Sequence, residues 1–236
     1  MRPRLRRLVE FLDAAGGSGV RSRAAVDTSA VLEKDLAAAA GLGWIGKNTN
    51  LLHPTLGSYF FIGIVLTTAD LDADARVPDR CGTCRACLDA CPTSAFPAPY
   101  ALDARRCIAY LTIEHRGPID PELRPRIGEW LFGCDVCQEV CPWNRAAPRA
   151  TEVALAPGEP PGPPADLVGL DDTGFSARFG ALAISRTRRA GLARNAALVL
   201  GNRRDAAAAP ALRRALADAD PSVSDAARWA LERIGE

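Results

Sequence analysis

Two stretches decide the reading of this chain: CGTCRACLDACPTSAFPAPYALDARRCIAYLTIE at residues 81–114 and FGCDVCQEVCPWN at residues 132–144. Cys81, Cys84, Cys87 and Cys91, closed by Pro92, spell C-x2-C-x2-C-x3-C-P. Three thiolates at this spacing wrap a tight loop around three corners of an iron–sulfur cubane. The fourth leaves on an outgoing helix turn and ligates the other cubane of a pair. Cys134, Cys137 and Cys141, followed by Pro142, form a second copy that is one thiolate short, and the only unassigned cysteine is Cys107. The crossing rule assigns Cys81, Cys84, Cys87 and Cys141 to one [4Fe-4S] cluster, and Cys91, Cys107, Cys134 and Cys137 to a second. All 8 cysteines fall between Cys81 and Cys141, which marks an inorganic site and not the disulfide framework of a short secreted domain. Paired structural zincs also use C-x2-C knuckles, but three short spacings in a row closed by C-P are rare in zinc ribbons.

The run is that of bacterial ferredoxins. Radical enzymes that use S-adenosylmethionine need C-x3-C-x2-C, which would require cysteine where Ser94 and Asn144 stand. With every cysteine taken up in ligation, the clusters read as relays of single electrons, and another group must receive them.

Working outward, residues 27–70 read as a compact α/β piece. DTSAVLEKDLAAAAGLG has the signals of a helix, with Thr28 or Ser29 at the N-cap, Glu33 early and Gly41 as the stop. GSYFFIGIVLTT reads as a buried strand. GWIGKNTNLLHPTLGS between them reads as a loop whose glycines suit close approach to a flat or anionic ligand. Residues 149–184 are proline-rich and read as a linker or surface wrap. From about Ser185 the pattern is helical, and RNAALVLGN realigns on DAARWALERIG with Ala196-Ala197 over Ala226-Ala227, as in a short HEAT-like repeat. The chain carries a net charge of +1, yet residues 185–214 hold eight arginines against the single acid Asp205. Such a stripe suits a nucleic-acid backbone or is a solvated face. An apolar share of 48% supplies a core, and no apolar run reaches the roughly 18–20 residues of a membrane span. The basic N-terminus is amphipathic and lacks a signal peptide's apolar core. The expected protein is a soluble, cytoplasmic monomer.

VDTSAVLEKDLAAAAGLGWIGKNTNLL, the first cysteine stretch with its YLTIE flank, FGCDVCQEVCPWN and RNAALVLGN together resemble epoxyqueuosine reductases, in order along the chain. The resemblance implies an α+β fold in four parts. These are a partial α/β cobalamin-binding domain (1–76), a two-cluster ferredoxin-like domain (77–148), the linker (149–184) and the HEAT-like repeat (185–236). It implies reduction of epoxyqueuosine to queuosine in the tRNA anticodon loop, the last step of queuosine biosynthesis, with cobalamin fed by the two clusters and an external low-potential electron donor. Neither His53 nor His115 sits in a D-x-H-x-x-G motif, which suits a base-off corrinoid.

By the same resemblance Asp27 is the proton donor, a role that requires burial against corrin and substrate; its plainer reading is an N-cap. Lys47, Asn48 and Ser58, then Tyr110, Thr112 and Asp135, are the expected cobalamin contacts. Arg186, Arg188, Arg189 and Arg194 are the expected tRNA contacts. Family members carry a further segment before the stretch matching residue 1, and it contributes to the corrin pocket. The expectation is that the 236-residue chain assembles its clusters, binds cobalamin poorly and turns over slowly. Two other functions stay open: a corrinoid reductase of another substrate, akin to reductive dehalogenases, and a non-catalytic ferredoxin-type electron carrier.

Overall fold

The computed structural model describes residues 1–27, 29–152 and 158–236. The chain divides into two units. The first comprises Met1–Ala90, Ala98–Ala101 and Cys137–Ala150, and the second Cys91–Pro97, Leu102–Val136 and Thr151–Glu236. Among the described residues no helix is long and apolar enough to cross a membrane.

In the first unit, α1 (Arg2–Ala15) starts with proline in its first turn, where the missing N–H costs nothing. Its Leu5 lies against Gly63, where a side chain would collide with it. Strand β1 (Ser22–Ala25) pairs antiparallel with β4 (Ile64–Thr67) in the register Ser22 to Thr67. Between them come α2 (Glu33–Ala39) and a tight hairpin of β2 (Trp44–Ile45) and β3 (Leu51–Leu52). Helix α2 stops where expected: Gly41 takes the left-handed φ of +78°, and the Leu42 N–H returns to the Ala37 carbonyl at 3.0 Å, closing the end in a Schellman turn. Its start differs from expectation. The helix begins at Glu33 after Leu32, with no side-chain cap, so neither Asp27 nor Ser29 caps it; Thr28 lies outside the described residues.

Two further expectations for this unit are corrected. The run 57–68 is not one buried strand: only Ile64–Thr67 is extended and paired, while Tyr59 and Phe61 are 51% and 70% exposed. A two-stranded ribbon cannot bury both faces of a long apolar strand. The glycine- and asparagine-rich segment is not all loop, because its ends pair as β2 and β3 and leave Lys47, Asn48 and Thr49 at the hairpin tip. Helix α3 (Ala86–Ala90) follows.

The second unit contains α4 (Ile108–Ile113) and α5 (Arg124–Ile127). Helix α6 (Val136–Glu139) straddles the boundary between units. Then come α7 (Pro164–Val168), α8 (Asp172–Phe179), α9 (Arg188–Arg203), α10 (Ala209–Ala215) and α11 (Pro221–Ile234). The linker expectation is thus corrected over part of 149–184. Helices α7 and α8 lie inside it and bury Leu167, Val168, Phe175 and Phe179 in the core; residues 153–157 lie outside the described set. Apolar pairs at helical spacing outweigh Pro163 and Pro164, which sit at the start of α7, where proline is tolerated.

Helix α9 is the axis of this core. Gly191 to Gly201 are all buried, the pattern of a helix enclosed on every side. It packs on α11 with Ala196, Ala197, Ala226 and Ala227 all at 2% exposure or less. At Gly201 a Cβ would sit 2.7 Å from the Trp229 ring, so the absence of a side chain sets the closeness of the two helices.

Candidate metal centre

Cys81, Cys84, Cys87 and Cys141 line one cavity of about 230 Å³ in the first unit, together with Leu52, Pro142 and Trp143. The loop 81–84 is tied down from within. The Cys84 N–H bonds the Cys81 carbonyl at 3.0 Å, and the Asp79 carboxylate accepts the Cys81 N–H at 2.8 Å. The Lys47 ammonium donates to the Gly82 and Cys84 carbonyls at 2.6 and 2.9 Å. Cys141 arrives on the turn after α6, its N–H bonded to the Gln138 carbonyl at 3.1 Å, and packs with Trp44 and Leu52. Trp143 meets Trp44 edge to face, ring centroids 4.9 Å apart.

Burial raises the Cys87 thiol above its ordinary value, and the Cys141, Cys81 and Cys84 thiols push it further. Burial raises Cys141 likewise, with Cys81 and Cys84 adding to it. Thiols such as Cys87 and Cys141, held protonated by burial in an apolar cavity, are a place for a cationic iron–sulfur core, which reverses that penalty. Asp79 is part of this frame. Burial alone would raise it, but hydrogen bonds from Tyr100 and Cys81 prevail and hold it below its usual value. Tyr100, whose hydroxyl donates to Asp79 at 2.5 Å, is pushed up to about 12 by that bond.

In the second unit Cys91, Cys107 and Cys134 come together. Burial raises Cys134, and the charges of Cys107 and Cys91 add to the rise. The Cys91 sulfur accepts the Ala95 N–H at 3.3 Å and lies 3.6 Å from the Thr93 hydroxyl. Cys137 belongs to the first unit, where Asn48 Nδ2 donates to its carbonyl at 3.2 Å and Asn50 Nδ2 reaches its Sγ at 3.9 Å. Among the described residues no three Cys, His, Asp or Glu side chains gather closely enough to hold a single metal ion.

The other expected site residues divide. Lys47 and Asn48 line the cavity, with their polar ends on backbone carbonyls. Ser58 is fixed by Gln138 Oε1 at 2.8 Å and by Asn144. Near it in sequence Leu56, Tyr59 and Phe61 are exposed. Tyr110 and Asp135 are exposed and lie in the second unit. Thr112 is corrected: it is 1% exposed, donates to the Ile108 carbonyl at 2.7 Å and accepts the Gly133 N–H, so no ligand reaches it. Asp27 is exposed, in the left-handed region at φ +50°.

Arg194 is also corrected. It is 1% exposed and its guanidinium donates to the Leu111, His115 and Gly117 carbonyls at 2.7, 3.1 and 2.8 Å. Burial, with Arg116 nearby, lowers it to about 10. It is a structural cation and not a phosphate contact. Arg189 is clamped by both Asp218 oxygens at 2.7 and 2.9 Å, and Arg186 meets Glu114. Arg188 is exposed, as are Arg204 and Arg214, which were not among the expected contacts. Asp79, Tyr100 and Asn50 were missed as well; the place of Asp79 two residues before Cys81 was the available signal.

A cysteine-ligated iron–sulfur protein is the class this cradle defines, and a family of 4Fe-4S double cluster binding domains matches residues 80–144. The chain is 42% identical over 243 residues to the epoxyqueuosine reductase of Alicycliphilus denitrificans, covering 98% of this chain and 67% of that protein. It is 44% identical over 200 residues to that of Cellulophaga algicola, covering 81% of this chain and 63% of the relative. The fold matches a crystal structure of epoxyqueuosine reductase with an epoxyqueuosine-modified tRNA-Tyr stem loop. The TM-score is 0.90 at 33% identity, over all of this chain and 63% of that one. This chain belongs to the epoxyqueuosine reductase family. It spans 41–63% of the length of several curated relatives.

Proposed function

We propose that this chain carries the electron-relay and proton-donating part of an epoxyqueuosine reductase that acts on the tRNA anticodon loop with cobalamin. The observation that carries the reading is the cradle of four thiols, Cys81, Cys84, Cys87 and Cys141, around one apolar cavity. They would hold one [4Fe-4S] cluster, and Cys91, Cys107, Cys134 and Cys137 a second. Bound cobalamin would supply the nucleophilic reduction that opens the epoxide, and the clusters the single electrons that sustain it.

The remaining steps belong to side chains. Asp27 would give a proton to the departing oxygen, and its exposure leaves it open to a substrate that covers it. Leu56, Tyr59 and Phe61 would line the corrin with Ser58, Lys47 and Asn48 at its rim. The domain reading follows: a cobalamin-binding part before the cysteine block, a two-cluster part and a HEAT-like helical part. Arg188, Arg204 and Arg214 of the helical part would meet the tRNA backbone, as would Arg186 by exchanging Glu114 for a phosphate.

The test is conversion of an epoxyqueuosine-bearing tRNA stem loop to queuosine, read by nucleoside mass spectrometry after anaerobic incubation with cobalamin and a low-potential reductant. The expected result is cobalamin-dependent product. Intact clusters and bound cobalamin with no product would overturn the proposal and favour the ferredoxin-type carrier.

A further inference from the structure

Asn50 stands between a cation and a cluster sulfur. Its side-chain oxygen accepts the Lys34 ammonium at 3.0 Å, and its Nδ2 points to the Cys137 Sγ at 3.9 Å. Lys34 is held in place by a second bond, to the Thr49 carbonyl at 3.1 Å. The hairpin tip is fixed on Cys137 by a second asparagine: Asn48 donates to the Cys137 carbonyl at 3.2 Å and accepts the Asn50 N–H at 3.2 Å. Lys34 sits in the first turn of α2, between Glu33 and Asp35.

We propose that Lys34 and Asn50 form a relay that raises the reduction potential of the cluster ligated by Cys137. This rests on the reading that Cys137 is a cluster ligand. A cation on the amide oxygen draws density from the amide and strengthens its N–H as a donor to thiolate sulfur. Donors and positive charge beside the sulfurs favour the more negative, reduced cluster. The step is a one-electron reduction by an external reductant, in which no bond forms or breaks. Asn50 and Lys34 are positioning residues. They leave iron content unchanged and set how readily the electron enters.

The test is a redox titration with dithionite, followed by electron paramagnetic resonance on the anaerobically purified full chain. Wild type must first show two four-iron clusters; one cluster alone would sink the ligand reading, separately from the relay. In Lys34→Met one cluster should shift negative, with a reduced-to-oxidised ratio at fixed potential about threefold lower, or ~28 mV at 59 mV per tenfold for one electron. Lys34→Arg should stay near wild type. Asn50→Ala should shift the same cluster and remove any further effect of Lys34→Met in the double variant. Because Lys34 is exposed, added salt should narrow the difference between Lys34→Met and wild type. In Cys107→Ser, which retains only the other cluster, Lys34→Met should move nothing. Two clusters with unmoved midpoints, an equal shift in both, or Lys34→Arg behaving like Lys34→Met would overturn the proposal.

Discussion

Replacing Arg194 by methionine removes a guanidinium that holds three main-chain carbonyls between α4 and the turn after it. Methionine preserves most of the aliphatic length, so the cavity left behind is small and the loss is one of hydrogen bonding. Each bond from a charged donor is worth about 1.5–3 kcal/mol, and each buried carbonyl left without a donor costs about 1–3 kcal/mol. Against this, the variant no longer desolvates a cation, so the gross sum overstates the effect. Three carbonyls left without their donor, offset by the relief of the buried cation, give a net loss of about 4 kcal/mol, a large share of the ~5–15 kcal/mol available to a folded protein. With a urea slope of about 2 kcal/mol per molar, the midpoint should fall by about 2 M. The assay is anaerobic urea unfolding followed by far-ultraviolet circular dichroism, beside tRNA stem-loop binding over a salt series. Arg188→Gln, on the exposed side, should change stability by less than about 0.5 kcal/mol. It should instead flatten the slope of log affinity against log salt by about 0.7–0.9. If Arg194→Met keeps wild-type stability and selectively loses tRNA, the burial argument fails.

Gly201→Val should destabilise by about 1–3 kcal/mol through overpacking, read as a lower thermal midpoint, since a Cβ there meets Trp229 at 2.7 Å and the Ala230 Cα at 2.9 Å. The hydrogen bond from Arg189 holds the Asp218 carboxyl below its usual range. Its contribution is therefore complete above the ordinary carboxylate value and is lost as pH falls through the lowered one. Asp218→Asn should thus be less stable than wild type at neutral pH and converge with it in acid, by urea midpoints over that range; parallel curves would refute the assignment. Cys107→Ser should lose one four-iron spectrum and keep the other. In protein that binds cobalamin, Asp27→Asn should leave corrinoid and tRNA affinity nearly intact and slow turnover by about 10²–10⁴; normal turnover would remove Asp27 from the chemistry.

That Cys81, Cys84, Cys87 and Cys141 line one cavity was legible from their spacing, and Gly41 and the paired alanines of α9 and α11 were legible for similarly local reasons. What the sequence hid depends on burial. Arg194 counts as one charge in a basic stretch, yet Leu192 and Ala193 before it and Ala196 and Ala197 after it mark a helix enclosed all round, and that local pattern was the better guide. Thr112 lies two residues from Tyr110 on α4 but is wholly buried, because neighbours at that spacing take different sides of a helix. The run 57–68 has a strand's composition, but strand length is set by the partner, and β1 offers only Ser22–Ala25. Asn50 carries no signal alone; only the fold brings Lys34 and Cys137 to its two ends.

The central claim is that the 8 cysteines are the thiolates of two cubanes that serve a reductase. The most direct measurement is iron, labile sulfide and zinc per chain in anaerobically purified protein. The account predicts about eight irons, about eight sulfides and no stoichiometric zinc. About four irons, or zinc in place of iron and sulfide, would contradict it.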